Sequence, residues 1–178
     1  MDLELKGKII IVTGGSKGIG YGICERLVQE GAIPVIVGRN KKTILEAVEQ
    51  LSKKGASVGF ALAELTDPKQ CQEAVDTVRR QYGKIDGLVN NAYPRTEDWG
   101  NKFEDIKLES WKKNVDMQLN SVFYICQQVL KIMKKQEYGS IVNISSIYGV
   151  VANDFSVYEN TGGMTSPAAY SAIKSGLI

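Results

Sequence analysis

Four apolar residues, Ile9-Ile10-Ile11-Val12, run without polar interruption into Thr13-Gly14-Gly15-Ser16-Lys17-Gly18-Ile19-Gly20, and apolar residues at helical spacing come immediately after. A β-branched run with no polar alternation suits a parallel strand covered on both faces. Three glycines in the junction have a physical use. Gly14 allows the tight turn, Gly18 lets backbone N–H groups approach a pyrophosphate, and Gly20 permits close helix–strand packing. Alone, a glycine-rich loop serves equally as a structural turn. Its place between a first strand and a first helix is what makes it informative.

The rest of the chain repeats the strand–helix theme. Ile19, Ile23, Leu27 and Val28 recur at helical spacing and stop at Gly31, a C-terminal cap. A second strand, Ile33 to Val37, leads into Gly38-Arg39-Asn40, and a helix is expected from about Thr43 to Lys54. Ser57 to Leu62 is a third strand, and Pro68 stands where helices begin, with Gly83 closing that helix. Ile85 to Asn90 is a fourth strand. A polar loop from Tyr93 to about Glu109 precedes the longest expected helix, Ser110 to Lys135, with Val115, Leu119, Val122, Cys126, Val129 and Met133 as its stripe. Ser140 to Ile144 is a fifth strand, and Pro167 opens a last helix. This alternation predicts right-handed crossovers and an α/β fold, a doubly wound parallel sheet in a single domain over residues 1–178.

Composition narrows the function. The 178 residues are 43% hydrophobic and 24% charged, and 22 Lys and Arg against 20 Asp and Glu leave a net charge of +2. That balance argues against a nucleic-acid binder, which carries a concentrated basic face. There is no histidine, which excludes a Ser-His-Asp triad and every His-ligated metal site; no metal is expected. Cys24, Cys71 and Cys126 lie far apart without C-x-x-C spacing, as buried thiols in a reducing compartment would. No apolar stretch approaches the ~20 residues needed to span a bilayer, so a cytoplasmic protein without membrane contact is expected.

Four motifs then fall in order: Thr13-Gly-x-x-x-Gly18-Ile19-Gly20, Asn90-Asn91-Ala92, Ser146-x-x-Gly149, and Tyr170-Ser171-Ala172-Ile173-Lys174. Together they resemble the short-chain dehydrogenases/reductases, over essentially the whole chain. The resemblance implies a Rossmann-like fold and an NAD(P)-dependent oxidoreductase acting on an alcohol or carbonyl. Its cofactor-binding residues would be Gly14, Ser16, Lys17, Gly18, Ile19, Gly20, Arg39, Glu64, Leu65, Asn91 and Ala92, together with Tyr170 and Lys174. Its catalytic residues would be Ser146, Tyr170, Lys174 and Gln118. The Tyr–Lys pair also makes sense from chemistry alone. Four residues apart on a helix, the two side chains share a face. A phenol is a poor base at neutral pH, and a cation ~4 Å away at an effective dielectric of ~20 stabilises the phenolate by ~4 kcal/mol. Proton exchange with an alcohol or carbonyl then becomes efficient. The resemblance gives Lys174 a second task, hydrogen-bonding the nicotinamide ribose.

Ser145 and Ser146 compete for the role of polarising the reacting oxygen. The two-residue spacing to Gly149 favours Ser146, with Ser145 as a backbone-bonding neighbour. Three positions depart from the family pattern. Gln118 stands where many members carry an active-site Asn, and Asn120 is about 200° of helix away. Tyr93 comes after Asn90-Asn91-Ala92 in place of Gly, a large ring where the cofactor passes, and Glu64 replaces the common Asp after the third strand. At the end of the second strand, Gly38 and Arg39 stand where an acidic residue would grip the ribose hydroxyls of NAD. Arg39 and Lys17, two cations without a carboxylate, suit NADP, with NAD an alternative. Between Ser146 and Tyr170 the chain is longer than the family's usual connection. The insert, about Val151 to Thr165, holds Tyr158, Glu159 and Asn160 beside Gly162-Gly163, and either covers a hydroxyl-rich substrate, sugar-like in class, or is a plain surface loop.

Two other readings stand beside the oxidoreductase. One is a nucleotide-binding protein without turnover; the other is a sugar-nucleotide epimerase or dehydratase of the extended branch, which the glycine spacing and Asn90-Asn91-Ala92 fit less well. The chain ends four residues past Lys174, where the family continues with elements that close the sheet, wall the substrate pocket and build a homo-oligomer. A short last helix, an exposed sheet edge and weak activity are therefore expected.

Overall fold

The computed structural model describes residues 2–53, 55–160 and 165–178. Five strands, β1 Ile9–Thr13, β2 Ile33–Gly38, β3 Gly59–Leu62, β4 Gly87–Asn90 and β5 Ser140–Asn143, form one sheet in the order β3-β2-β1-β4-β5. The β1–β2, β1–β4 and β2–β3 pairs are parallel. Helices α1 Gly18–Gln29, α2 Lys41–Ser52 and α3 Pro68–Tyr82 connect successive strands, and α4 Leu108–Val115, α5 Ser121–Gln136 and α6 Ala168–Gly176 come later in the chain. No helix among the described residues is long and apolar enough to cross a membrane. The residues group into two compact units, Met1–Ala92 with Ser121–Val142, and Tyr93–Asn120 with Asn143–Ile178.

In the first unit the period-two alternation of a strand decides which side chain meets which helix. Ile9 and Ile11 of β1, with Val35 and Val37 of β2, pack against Cys71, Ala74, Val75 and Val78 of α3 and Ile125, Val129 and Met133 of α5. Ile10 and Val12, with Ile36, pack on the other face against Cys24 and Leu27 of α1 and Ile44, Ala47 and Leu51 of α2. Both faces of β1 and β2 are thus covered, which is why β1 shows no polar alternation. Each fully buried Ile here contributes ~1.5–3 kcal/mol of transfer free energy. Helix ends obey local chemistry: Asp67 accepts from the Lys69 and Gln70 amides, Pro68 opens α3, and Gly83 closes it at φ +78°.

Several boundaries differ from the sequence expectation. β3, β4 and β5 are four residues each, shorter than the apolar runs that mark them, because pairing with the neighbouring strand sets a strand's length. Helix α2 starts at Lys41, two residues before Thr43, because Asn40 supplies the cap. Ile19 is 70% exposed and does not belong to the α1 core stripe, which is Gly20, Cys24 and Leu27. The single helix expected over 110–135 is instead α4, a π turn over Asp116–Asn120, and α5. A π turn adds a residue to one helical turn and rotates the next stretch of helix about its axis. The expected stripe therefore divides: Val115 and Leu119 pack with Trp99, Ala169 and Ile173 in the second unit, whereas Cys126, Val129 and Met133 serve the first, joined there by Ile125, which the stripe did not include. Gly162 and Gly163 lie outside the described residues.

One buried carboxylate ties the start of β1 to β4. Asp86, 8% exposed, accepts from the Ile9 amide at 2.7 Å and from Lys84 Nζ. Burial opposes its charge, but the Ile9 amide and Lys84 prevail and hold the carboxyl below the usual range. Its contribution is therefore full above an unfolded value near ~4 and is lost as pH falls through the lower folded value. Asp86→Ala is expected to cost ~1–3 kcal/mol at neutral pH by orphaning the Ile9 amide. Urea unfolding checks this, and the gap between variant and parent should narrow at acidic pH.

Candidate active site

In the first unit, the glycine loop is held by a clasp between β1 and β4. Thr13 Oγ1 accepts from the Asn91 and Ala92 amides at 3.0 and 3.1 Å, and Asn91 Nδ2 donates to the Thr13 and Gly14 carbonyls at 3.1 and 3.4 Å. The Asn91 side-chain nitrogen thus braces the loop's backbone. Gly14 has φ +67°, and a Cβ there would lie 3.0 Å from Ala92 Cα. A Cβ on Gly20 would lie 2.4 Å from both Gly14 O and Asn91 Nδ2, so helix α1 can only start this close to the loop with glycine. Gly15, which sequence reasoning passed over, is constrained as well: its Cβ would meet Cys24 Sγ at 2.8 Å.

Helix α1 starts without a side-chain cap. Lys17 takes the N-cap position without a side-chain cap, and no acidic residue lies in the first turn. Gly18 has φ +52° with open space where a Cβ would stand. Unfilled N–H donors at the positive end of a helix fit a pyrophosphate, so the residues present suit a dinucleotide. Lys17 is exposed and Ser16 half-buried beside them. At the ends of β2 and β3, Arg39 Nη1 pairs with Glu64 Oε2 at 2.9 Å. The expectation of cations without a carboxylate is corrected here, because Glu64 faces Arg39 across the strand ends. Leu65 turns its side chain into the core, 9% exposed, leaving only its backbone for a ligand.

The second unit carries the residues that the sequence marks for acid/base work. Helix α6 presents Tyr170 and Lys174, and Lys174 is only 8% exposed. Its Nζ donates to the Ile144 carbonyl at 2.5 Å and lies 5.7 Å from the ring centroids of both Tyr170 and Tyr93. Burial lowers the Lys174 pKa. The rings of Tyr93, Trp99 and Tyr170 meet edge to face at 5.7–6.3 Å, a favoured aromatic geometry. Tyr93, flagged from sequence as an obstacle, is therefore part of the packing around Tyr170. Burial pushes its phenol up to about 12, so it stays neutral beside Lys174.

The two serines separate cleanly. Ser145 Oγ donates to the Lys174 carbonyl at 2.7 Å, so its proton is committed to backbone. Ser146 Oγ accepts from the Tyr148 amide at 3.2 Å as it caps the turn Ile147–Gly149, and an accepting hydroxyl keeps its own proton to donate. A Cβ on Gly149 would lie 2.8 Å from the Lys174 carbonyl, which explains a glycine three positions after Ser146. Gln118 is 3% exposed in the π turn; its Nε2 donates to the Pro94 carbonyl at 2.7 Å and its Oε1 has no partner. Asn120 bonds Asp116 on the exposed side instead. In the insert, Tyr158 and Glu159 line a cavity of about 500 Å³ with Lys102, Phe103 and Phe155.

Gly149→Ala is expected to cost ~1–3 kcal/mol through overpacking against α6. Chemical unfolding measures the cost. The emission of Trp99, which packs on Tyr170, should shift with it; an unchanged spectrum and midpoint would contradict the close-approach account.

Comparison with known proteins places these features. A family model described as short chain dehydrogenase matches residues 8–178. Post-translational flagellin modification protein A of Campylobacter coli is 34% identical over 97% of the chain and 68% of its own length. The 3-oxoacyl-(acyl-carrier-protein) reductase of Chlamydia muridarum is 35% identical over 100% of the chain and 66% of its own length. Among solved structures, L-sorbose reductase of Gluconobacter frateurii, complexed with NADPH and L-sorbose, superposes with a TM-score of 0.84 at 26% identity, over 99% of this chain and 62% of that one. An NAD+-bound xylitol dehydrogenase gives 0.83 at 27% identity, over 97% and 62%. The chain thus spans about two thirds of the length of these relatives. With a family match that runs from the residue before β1 to the end of the sequence, the chain belongs to the short-chain dehydrogenase family.

Proposed function

We propose that the chain carries the dinucleotide-binding and acid/base parts of an oxidoreductase that interconverts an alcohol and a carbonyl, using NADP(H) in preference to NAD(H). The observation that carries this reading is the state of the α6 pair: Lys174 is buried, faces the Tyr170 ring, and is held by the Ile144 carbonyl. Bound nicotinamide dinucleotide supplies or accepts the hydride. Tyr170 gives the proton to the carbonyl oxygen in reduction and takes it in oxidation. Lys174, as a fixed cation, favours the phenolate that this exchange leaves. Ser146 donates its uncommitted proton to the same oxygen as negative charge develops there. Gln118, with one amide oxygen unpartnered in the interior, is the acceptor available to a proton-relaying water.

The uncapped start of α1 would hold the pyrophosphate, with Gly14, Ser16, Lys17, Gly18, Ile19 and Gly20 around it, and Ala92 beside the loop. Arg39 and Lys17 favour a 2′-phosphate. Relatives described with NADPH and with NAD+ support both dinucleotides as candidates. A polyhydroxylated substrate is the finer proposal, supported by the mixed aromatic and charged lining around Tyr158 and Glu159.

Fluorescence titration should give tighter binding of NADPH than of NADH, and Arg39→Ala should erase the difference. Equal affinities in the parent would refute the charge reading. Tyr170→Phe should leave NADPH affinity nearly unchanged and lower ketone reduction by about 10²-fold or more. Retention of most of the turnover would remove Tyr170 from the acid/base role. Tight cofactor binding with no reduction of ketoses, keto-sugars or small ketones by the parent chain would favour a nucleotide-binding role alone.

A further inference from the structure

The ion pair at the ends of β2 and β3 bears on cofactor choice in a way that neither charge conveys alone. Resting on the dinucleotide reading above, we infer that Glu64, through its pairing with Arg39, limits the preference for a 2′-phosphorylated dinucleotide and keeps a free ribose acceptable. The sheet imposes the contact. Gly38 pairs with Leu62 in the β2–β3 register, and the Ala63 amide donates to the Gly38 carbonyl at 2.9 Å. Arg39 and Glu64 therefore leave the sheet side by side, with Nη1 and Oε2 2.9 Å apart and the two side chains 65% and 35% exposed.

Glu64 is fixed in place from its backbone. Its amide donates to Gln70 Oε1 at 2.9 Å, and its carbonyl accepts from the Asp67 amide at 3.0 Å. The neighbouring Asp67 carboxylate is occupied with the Lys69 and Gln70 amides and Gln70 Nε2. Asn40 caps α2 by accepting from the Thr43 amide at 3.1 Å, so the start of that helix already has its partner. The charged groups that a phosphate would meet in this corner are side-chain cations. Arg39 is joined along the chain by exposed Lys41 and Lys42, which sequence reasoning did not single out although the run Arg39-Asn40-Lys41-Lys42 displays them.

A guanidinium offers a planar fork that a phosphate grips at two points. Glu64 occupies part of that fork and stands as a fixed negative charge beside any phosphate bound there. A ribose without the phosphate brings no charge for Glu64 to oppose, so the carboxylate costs NADH nothing. The pair is solvated, so its effect is moderate and sensitive to salt.

The test is binding, not turnover. NADPH and NADH are titrated by fluorescence into the parent chain, Glu64→Gln, Glu64→Asp, Arg39→Ala and the double variant Glu64→Gln/Arg39→Ala, at low salt and at ~1 M salt. Glu64→Gln should tighten NADPH by about twofold to fivefold and leave NADH unchanged or weaker. Glu64→Asp should fall back toward the parent. The gain should be much smaller in the Arg39→Ala background and should shrink at high salt. An unchanged NADPH-to-NADH ratio in Glu64→Gln, with the parent binding normally, overturns this inference alone. A gain of equal size with and without Arg39 overturns the route through the ion pair. Failure of the parent to bind either dinucleotide overturns the dinucleotide reading and this inference with it.

Discussion

Strand β1 is the constraint on which the first unit depends. It is hydrogen-bonded on both edges, to β2 and to β4, and its four apolar residues are buried on both faces. A backbone in that position has every polar group met by a neighbour and no route to water. Its chain direction, its register and its exit point are then all determined by its neighbours. Thr13 leaves the sheet into the glycine loop, and β4 ends beside it with Asn91 and Ala92. The Thr13–Asn91 clasp is a direct outcome of that adjacency, and so is the clash that any side chain on Gly20 would meet.

The same logic sets the electrostatics at the other side of β1. Strands β2 and β3 end together, so the residues just past their ends become partners whatever their role. Arg39 and Glu64 are separated by 25 positions in the chain and by 2.9 Å in space. In the second unit, packing does the equivalent work. Ser145 bonds the Lys174 carbonyl, Gly149 admits the backbone of α6, and three aromatic rings meet at Tyr170. Lys174 loses water in the process, yet gains a carbonyl and two aromatic faces. A buried ammonium with such partners keeps one position, and fixed position is what the proposed acid/base role of the pair needs.

Much of this was legible in the residues. The unbroken apolar run of β1, the glycines after it, Pro68 at the start of α3 and Gly83 at its end are local signals with local causes, and local rules interpret them. The strand–helix alternation carried the parallel sheet, because only crossovers of that length join parallel strands. The four spaced motifs carried the family, since each sits at the end of a strand or on the helix the chemistry requires. The choice of Ser146 over Ser145 came from spacing to Gly149, and the structure adds the reason: one hydroxyl proton is spent on a carbonyl and the other is not.

The features that tertiary structure alone decided have a common cause: they depend on residues distant in the chain. Sequence determines which side chains alternate, where a cap can form and where φ must be positive. It does not determine that a π turn at Asp116–Asn120 sends Val115 and Leu119 to one cluster and Ile125 to another. Nor does it tell that Asn91 Nδ2 bonds the Thr13 and Gly14 carbonyls, that Tyr93 packs on Tyr170, or that Glu64 answers Arg39. Each of these is settled by which strand ends lie side by side and which helix meets which loop. Spacing along the chain carries no record of that, because contact energy depends on separation in space.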